Sequence, residues 1–154
     1  AKAIGGGPVG SRALMSLRVE KGYGSWSREY SPEYWPQETG LAPLIKMDKD
    51  FLNKAAYAAL MDRAPRETLT MIEVLDVDQA DATGGEPIFH PNGSPLGRVT
   101  SGAYGYSVGK SLALCYLREA TPGAEVEVMI LGRPHRAVVL DHPPFDPEGV
   151  RLRT

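Results

Sequence analysis

From residue 69 onward the apolar residues recur at a period of two, and this alternation constrains the fold more than any other feature of the chain. LTMIEVLDV (69–77), EPIFH (86–90), PLGRVTSG (95–102), KSLALCYL (110–117), AEVEVMIL (124–131) and HRAVVL (135–140) each read as a short strand. Between them stand Gly84-Gly85, Asn92-Gly93, Pro122-Gly123 and Gly132-Arg133-Pro134, residue types that reverse a chain sharply. Strands that follow one another without an intervening helix pair antiparallel, so six such runs predict a barrel, with a two-sheet sandwich as the alternative.

Ahead of these runs the spacing is helical and interrupted. SRALMSLRVE (11–20) predicts a short helix with Ser11 as its N-cap, Leu14, Leu17 and Arg18 at helical spacing, and Gly22 as its stop. LIKMDKDF (44–51) reads as a strand-like piece. NKAAYAALMDRAP (53–65) predicts a second helix, capped by Asn53, with a narrow apolar face of Ala56, Ala59 and Leu60 and with Pro65 closing it. The fold class is therefore α+β, mainly β, with the strands from Pro65 onward.

Between the two helices lies GYGSWSREYSPEYWPQETGL (22–41), which holds both tryptophans and three of the seven tyrosines. Pro32, Pro36 and Pro43 predict an extended path. So many aromatics in a loop are either a hydrophobic plug over a domain junction or a surface that stacks on a flat heterocycle, and the pattern leaves both open.

Length and composition set the outer bounds. With 154 residues, 42% of them hydrophobic and 23% charged, there is room for one domain, or one small domain and part of another. A formal net charge of −2 gives no electrostatic reason to expect nucleic acid or an anionic membrane as partner. No apolar run approaches the roughly 20 residues of a membrane span. The opening AKAIGGGPVG has neither a methionine nor the apolar core of a signal peptide, and reads as the interior of a longer protein. The single cysteine, Cys115, sits in the apolar run SLALCYL, which predicts a buried, unreactive thiol in a reducing compartment.

Several motifs fail on context. Gly5 to Gly10 matches the glycine pattern of dinucleotide-binding turns, but only four residues precede it, too few for the strand this chemistry needs. Gly105-Tyr106-Ser107-Val108-Gly109 matches a nucleophile elbow, yet the next segment is a strand where a helix is required, so Ser107 is expected in a turn. Gly109-Lys110-Ser111 resembles the end of a P-loop whose first glycine would fall on Tyr104. His90, His135 and His142 are too scattered for a metal site and are expected at the surface or in turns. Asp76, Asp78, Asp81 and Glu86 read as a solvated rim, since their spacing fits no calcium loop.

Two longer patterns carry a resemblance. Ser16-Leu17-Arg18-Val19-Glu20-Lys21-Gly22-Tyr23, then Trp26, then Pro36-Gln37-Glu38-Thr39-Gly40-Leu41 resembles the S-L-R-x-E-K-G-Y … P-x-E-x-G-L signature of folate-dependent enzymes. Gly97-Arg98-Val99-Thr100-Ser101-Gly102, followed by Gly109-Lys110 and the Ala113–Tyr116 run, is similar to their G-x-V-T-S-G … G-K-x-x-A-x-x-Y stretch, and Pro122-Gly123 and residues 137–147 continue it. The family comprises the glycine-cleavage T-protein, an aminomethyltransferase, and the dimethylglycine and sarcosine dehydrogenases. Glu20-Lys21-Gly22-Tyr23 with Trp26 resembles the dehydrogenase branch more than the stand-alone transferase.

The resemblance implies a C-terminal remnant of a folate-binding domain with its linker over 1–48, and a leading helix and T-protein barrel over 49–154. It implies tetrahydrofolate as cofactor of the intact enzyme, FAD in an upstream domain of the dehydrogenase branch, and a small N-methyl amine as substrate. The location implied is a bacterial cytoplasm or the mitochondrial matrix. Tyr23 is the first choice for a ligand contact and Trp26 the second. The family's Arg-Asp pair falls on Leu14 and Met15, which leaves Arg12 as the nearest basic substitute. The family's catalytic aspartate matches no residue of this chain, so no catalytic residue is assigned and the chain alone is expected to be inactive. Arg18 and Glu20 are expected to pair structurally on their helix. Three readings stay open: part of a dehydrogenase, part of a stand-alone aminomethyltransferase, or a non-catalytic interaction module.

Overall fold

The computed structural model describes residues 4–77, 79–119 and 121–153. Helix α1 (Ser11–Glu20) and helix α2 (Lys54–Met61) precede six strands: β1 (Thr68–Val74), β2 (Pro87–Phe89), β3 (Pro95–Gly105), β4 (Lys110–Leu117), β5 (Glu125–Ile130) and β6 (Arg133–Leu140). The strands pair antiparallel in the order β1-β4-β3-β2-β5-β6, and β6 returns to β1 to close a barrel. Closure leaves no free sheet edge, which resolves the choice between barrel and sandwich.

Barrel parity explains the sequence pattern. Ala113, Cys115 and Leu117 of β4 point inward, beside Ile72, Val74, Ile88, Val99, Val126, Val128 and Val139. Leu112 and Leu114 point outward, where they join Met71 and Val19 of α1 in a second apolar cluster. Both faces of β4 are thus covered, so KSLALCYL is buried almost throughout and loses the alternation of its neighbours. Cys115 lies in the inner set as expected, and burial pushes its thiol well above the ordinary range.

One irregularity re-aims the sheet. Val99 pairs with Cys115 and Ser101 pairs with Leu114, so Thr100 is an extra residue in β3. A bulge shifts every later side chain to the opposite face. Ser101, which would otherwise follow Val99 into the barrel, faces outward, and Gly102 faces inward. The crossover from β1 to β2 (75–86) passes over that inward glycine and seats Ala82 in the core. A Cβ on Gly102 would collide with the Ala82 carbonyl, so glycine is required there.

The N-terminal segment departs from several expectations. α1 is capped at Gly10, with Ser11 as its first helical residue, because the first helical bond runs from Leu14 N–H to the Gly10 carbonyl. It ends as expected near Gly22, whose φ of 72° permits Gly22 N–H to reach the Val19 carbonyl and Tyr23 N–H to reach that of Arg18. Residues 44–51 form no strand; a 3-10 turn over Ala42–Leu44, with Pro43 inside it, precedes bends. The aromatic loop is accordingly folded into successive turns and is not extended. Asn53 does stand at the N-cap of α2, but its side chain makes no capping bond. α2 stops at Met61, before Pro65, and none of its residues is buried. No described helix is long and apolar enough to cross a membrane.

Glycine at β3 provides a stability test. A Cβ on Gly97 would drive into the Tyr116 carbonyl and the Leu117 side chain of β4. Gly97→Ala is expected to cost about 1–3 kcal/mol by overpacking, read as a lower midpoint in urea unfolding with an unchanged slope.

Candidate functional site

Three buried glutamates anchor α1 and the aromatic loop outside the barrel. Glu20, Glu29 and Glu38 are all buried, although nothing in their sequence neighbourhood distinguishes them from surface carboxylates. A buried carboxylate is costly unless donors surround it, so each one marks where backbone and cations have been gathered.

Glu29 accepts from the Arg18 guanidinium (3.1 Å), from Ser25 N–H (2.8 Å) and from the Ser25 hydroxyl (3.3 Å), all on Oε2. Arg18 also donates to the Tyr23 carbonyl (2.7 Å) and, across to the barrel, to the Ser101 hydroxyl (2.7 Å). The Thr100 bulge makes that last bond possible by turning Ser101 outward. Arg18 therefore pairs with Glu29 and not with Glu20, which is two positions away and on a different side of the helix. Burial pushes the Glu29 carboxyl up, but the nearby Ser101 and Thr100 hydroxyls, Ser25 N–H and the Arg18 charge outweigh it and hold it below its ordinary value.

Glu20 faces the β3–β4 hairpin, where its Oε1 accepts the Ser107 N–H at 2.9 Å. Ser16, one turn earlier, donates its hydroxyl to the Tyr104 carbonyl at 2.7 Å. Gly105 leaves room for this approach, since a Cβ there would stand 2.8 Å from Glu20 Cγ. Ser107 is a turn residue as expected, and the glycine-serine-glycine pattern reflects the docking of α1.

Glu38 binds the opposite end of the loop. Its Oε1 accepts Arg66 N–H (3.0 Å) and Nε (2.8 Å), while Oε2 accepts Arg66 Nη2 (2.8 Å) and Trp35 N–H (3.0 Å). The Arg66 hydrogen bond leads a set of contacts that lower the Glu38 carboxyl from 4.5 to about 2. Its own carbonyl accepts Leu69 N–H at 2.7 Å, which fixes the start of β1.

The loop aromatics divide into two groups. Tyr34 stacks on Tyr116 with ring centroids 3.8 Å apart and planes 6° from parallel, and Trp35 lies 5.0 Å from the Arg66 guanidinium. Tyr116 in turn donates its hydroxyl to the Glu29 carbonyl at 2.7 Å. These are packing residues. Tyr23 and Trp26 remain 50% and 74% exposed.

A concavity of about 730 Å³ opens between α1 and the β1–β2 crossover. Ser11, Arg12, Met15 and Ser16 form one wall, residues 79–83 of the crossover another, and Gly102, Ala103, Tyr104 and Tyr106 the floor and rim, with Arg28 beside them. Arg28 donates to the Thr83 carbonyl (3.4 Å), and Asp81 accepts the Ser111 hydroxyl (2.6 Å). The structure thus brings Arg12 into a groove and keeps Tyr23 and Trp26 outside its lining. Sequence reading missed Arg28, Asp81, Tyr104 and Tyr106; the glycine-rich hairpin sequence was the only signal near the last two. Among the other polar residues singled out, Glu86 accepts from Thr83 and Gly84 N–H groups, and Asp76 pairs with Arg136. Asp78 lies outside the described residues. His135 is not a surface residue: it is buried in β6, with Nδ1 donating to the Asp76 carbonyl at 2.7 Å. No cluster of potential metal ligands occurs among the described residues.

Residues 68–146, the barrel with its C-terminal extension, match the model of the glycine cleavage T-protein C-terminal barrel domain, and residues 1–49 match that of the GCVT N-terminal domain. The chain belongs to the glycine cleavage T-protein family. It is 34% identical to human mitochondrial dimethylglycine dehydrogenase over 94% of its own length and 17% of that protein. It is 35% identical to 4-methylaminobutanoate oxidase (formaldehyde-forming) of Paenarthrobacter nicotinovorans, again over 94% of this chain and 18% of the relative. An aminomethyltransferase of Herpetosiphon aurantiacus is 34% identical over 91% of this chain and 39% of its own. The crystal structure of aminomethyltransferase T from Bartonella henselae superposes with a TM-score of 0.79 at 22% identity, covering 88% of this chain and 38% of that one, and so shares the fold. The chain spans less than two fifths of each of these proteins.

The carboxylate anchors predict the acid response. Glu38 has a folded-state value of about 2 against 4.5 when unperturbed, and Glu29 is lowered as well. Their contribution to stability is fully present above pH 4.5 and is lost as pH falls toward 2, because the unfolded chain binds protons first. Glu38→Gln is expected to flatten the pH dependence of thermal unfolding across that interval, measured by circular dichroism.

Proposed function

We propose that this chain is the C-terminal part of a tetrahydrofolate-dependent enzyme that demethylates an N-methylated glycine derivative by oxidation, in the manner of a dimethylglycine or sarcosine dehydrogenase. The carrying observation is the Glu20-Lys21-Gly22-Tyr23 run with Trp26, set on a loop whose architecture leaves just these two aromatics uncovered. Tyr34 and Trp35 satisfy the packing role, which frees Tyr23 and Trp26 to contact a flat ligand. Arg12, on the groove wall, supplies a cation. In this reading Arg12, Tyr23 and Trp26 hold one edge of the folate cofactor, while the amine substrate and FAD belong to other domains of a longer polypeptide. Tetrahydrofolate would accept the one-carbon unit released by amine oxidation. The residues here orient that acceptor and exclude water, and they supply no acid or base for the chemistry.

Equal identity to a dehydrogenase and to an aminomethyltransferase supports a second reading, a stand-alone transferase. Flavin absorbance co-purifying with the full-length protein, together with dimethylglycine-dependent reduction of that flavin, separates the two. For the folate edge, Tyr23→Ala in the full-length protein is expected to weaken tetrahydrofolate binding about threefold to tenfold, as loss of an aromatic contact would. Substitution of the hairpin residue Asn92 is expected to leave it unchanged. Equal affinity of Tyr23→Ala and wild type in a calorimetric titration would reduce Tyr23 to a packing residue.

A further inference from the structure

Helix α1 is apolar on two sides. Its inner side meets the barrel: Val19 joins the outer apolar cluster, Ser16 bonds the Tyr104 carbonyl and Glu20 accepts the Ser107 N–H. Its exposed side is made of Ala13, Leu14 and Leu17, whose spacings of three and four residues place them on one face. Leu14 and Leu17 stay 60% and 53% exposed. No charge relieves this face, because each ionic side chain of α1 is directed elsewhere: Arg18 to the loop, Glu20 to the hairpin and Arg12 to the groove. A helix that faces water is polar on its solvent side, whereas one that is apolar all round is a buried helix.

The linker has the same property. α2 buries none of its eight residues, and Leu52 and Met61 at its two ends are 90% and 52% exposed. An isolated helix in water is marginal below roughly 12–15 residues, so α2 too is built to lie under a covering surface.

The size of the α1 face decides what covers it. Two leucines and an alanine offer far less than the roughly 800 Å² that each partner of a stable complex buries, so a second copy of this chain would not be held there. A partner in the same polypeptide faces no such threshold, because the connecting chain supplies a high effective concentration. α1 falls within residues 1–49, which match the GCVT N-terminal domain, and the relatives described above carry most of their length outside the stretch they share with this chain.

Resting on the reading of this chain as part of a longer polypeptide, we propose that the outward face of α1 is an internal interface, covered in the full-length protein by an apolar surface of the polypeptide that precedes residue 1. α1 is then held from both sides, by the barrel and by the preceding segment, with Leu14 and Leu17 as the contacts that seat it.

The test compares L14Q/L17Q with wild type, both in this chain and in the full-length protein, by following amide hydrogen exchange of residues 11–20 with mass spectrometry. Glutamine has nearly the helix propensity of leucine and adds no charge, so the substitution probes burial. In this chain the variant is expected to exchange within about twofold of wild type, as exposed substitutions do. In the full-length protein it should exchange at least about tenfold faster, because two apolar side chains lose a buried site. Equal exchange of variant and wild type in the full-length protein overturns the proposal. So does an equal loss of protection in both proteins, which would make the two leucines internal to the fold of this chain. Sedimentation of this chain covers the remaining occupant: a dimer that L14Q/L17Q abolishes assigns the face to a second copy and also overturns it. The folate reading fails separately. If the full-length protein binds no tetrahydrofolate yet shows the tenfold difference, the interface stands without that reading; if it binds tetrahydrofolate and shows no difference, the interface falls and the reading stands.

Discussion

The Arg18 guanidinium, held between Glu29 and Ser101, is the contact on which the arrangement outside the barrel depends. A loop with no strand or long helix has few internal partners for its backbone, and burying it on a sheet would leave donors and acceptors unmet. Arg18 solves this by bonding three elements at once: the Tyr23 carbonyl behind α1, the Glu29 carboxylate of the loop and the Ser101 hydroxyl of β3. Glu38 repeats the device at the other end with Arg66 and two backbone N–H groups. Each carboxylate is costly to bury alone; Glu38 has donors on both oxygens, whereas Glu29 gathers all of its donors on Oε2 and leaves Oε1 without a partner.

That contact exists because of one extra residue in the sheet. Without the bulge at Thr100, Ser101 would follow Val99 into the barrel and could not accept from Arg18. The same shift turns Gly102 inward, which makes room for Ala82 and lets the crossover lie close over the barrel. A single register change thus sets both the loop anchor and the position of the groove wall.

The barrel was legible in the sequence because a period of two survives wherever one face is buried, and turn residues mark the ends of each strand. Its strand ends shifted by a few residues, as with β6, which begins at Arg133 because Leu131 and Gly132 alone make the turn. The segment 44–51 failed as a strand since its alternation has no sheet to join; every barrel edge is already paired. Glu20, Glu29 and Glu38 were invisible as anchors because their donors come from residues as distant as Arg66 and Ser107, and a carboxylate in sequence reads as solvated. His135 was misplaced for a related reason: its partner is the Asp76 carbonyl, and backbone carbonyls leave no trace in composition. The same blindness hid the groove, whose residues come from four stretches that only the crossover brings together.

Topology supplies the reason a groove stands there at all. β1 pairs with β4 and β6, and not with the strand that follows it, so the chain must travel from β1 to β2 across the barrel mouth. A connection of that length over an apolar interior is stable only if it buries something, and Ala82, with Val77 and Ala80 packed nearby, closes the core. Its opposite side cannot also be buried, because α1 is already committed to β3 and β4 through Val19, Ser16 and Glu20. The space between helix and crossover stays open as a consequence of two separate packing demands, and the polar residues on its walls are those with no core to serve. Arg12, Arg28, Tyr104 and Tyr106 keep their side chains exposed along its wall and rim for that reason.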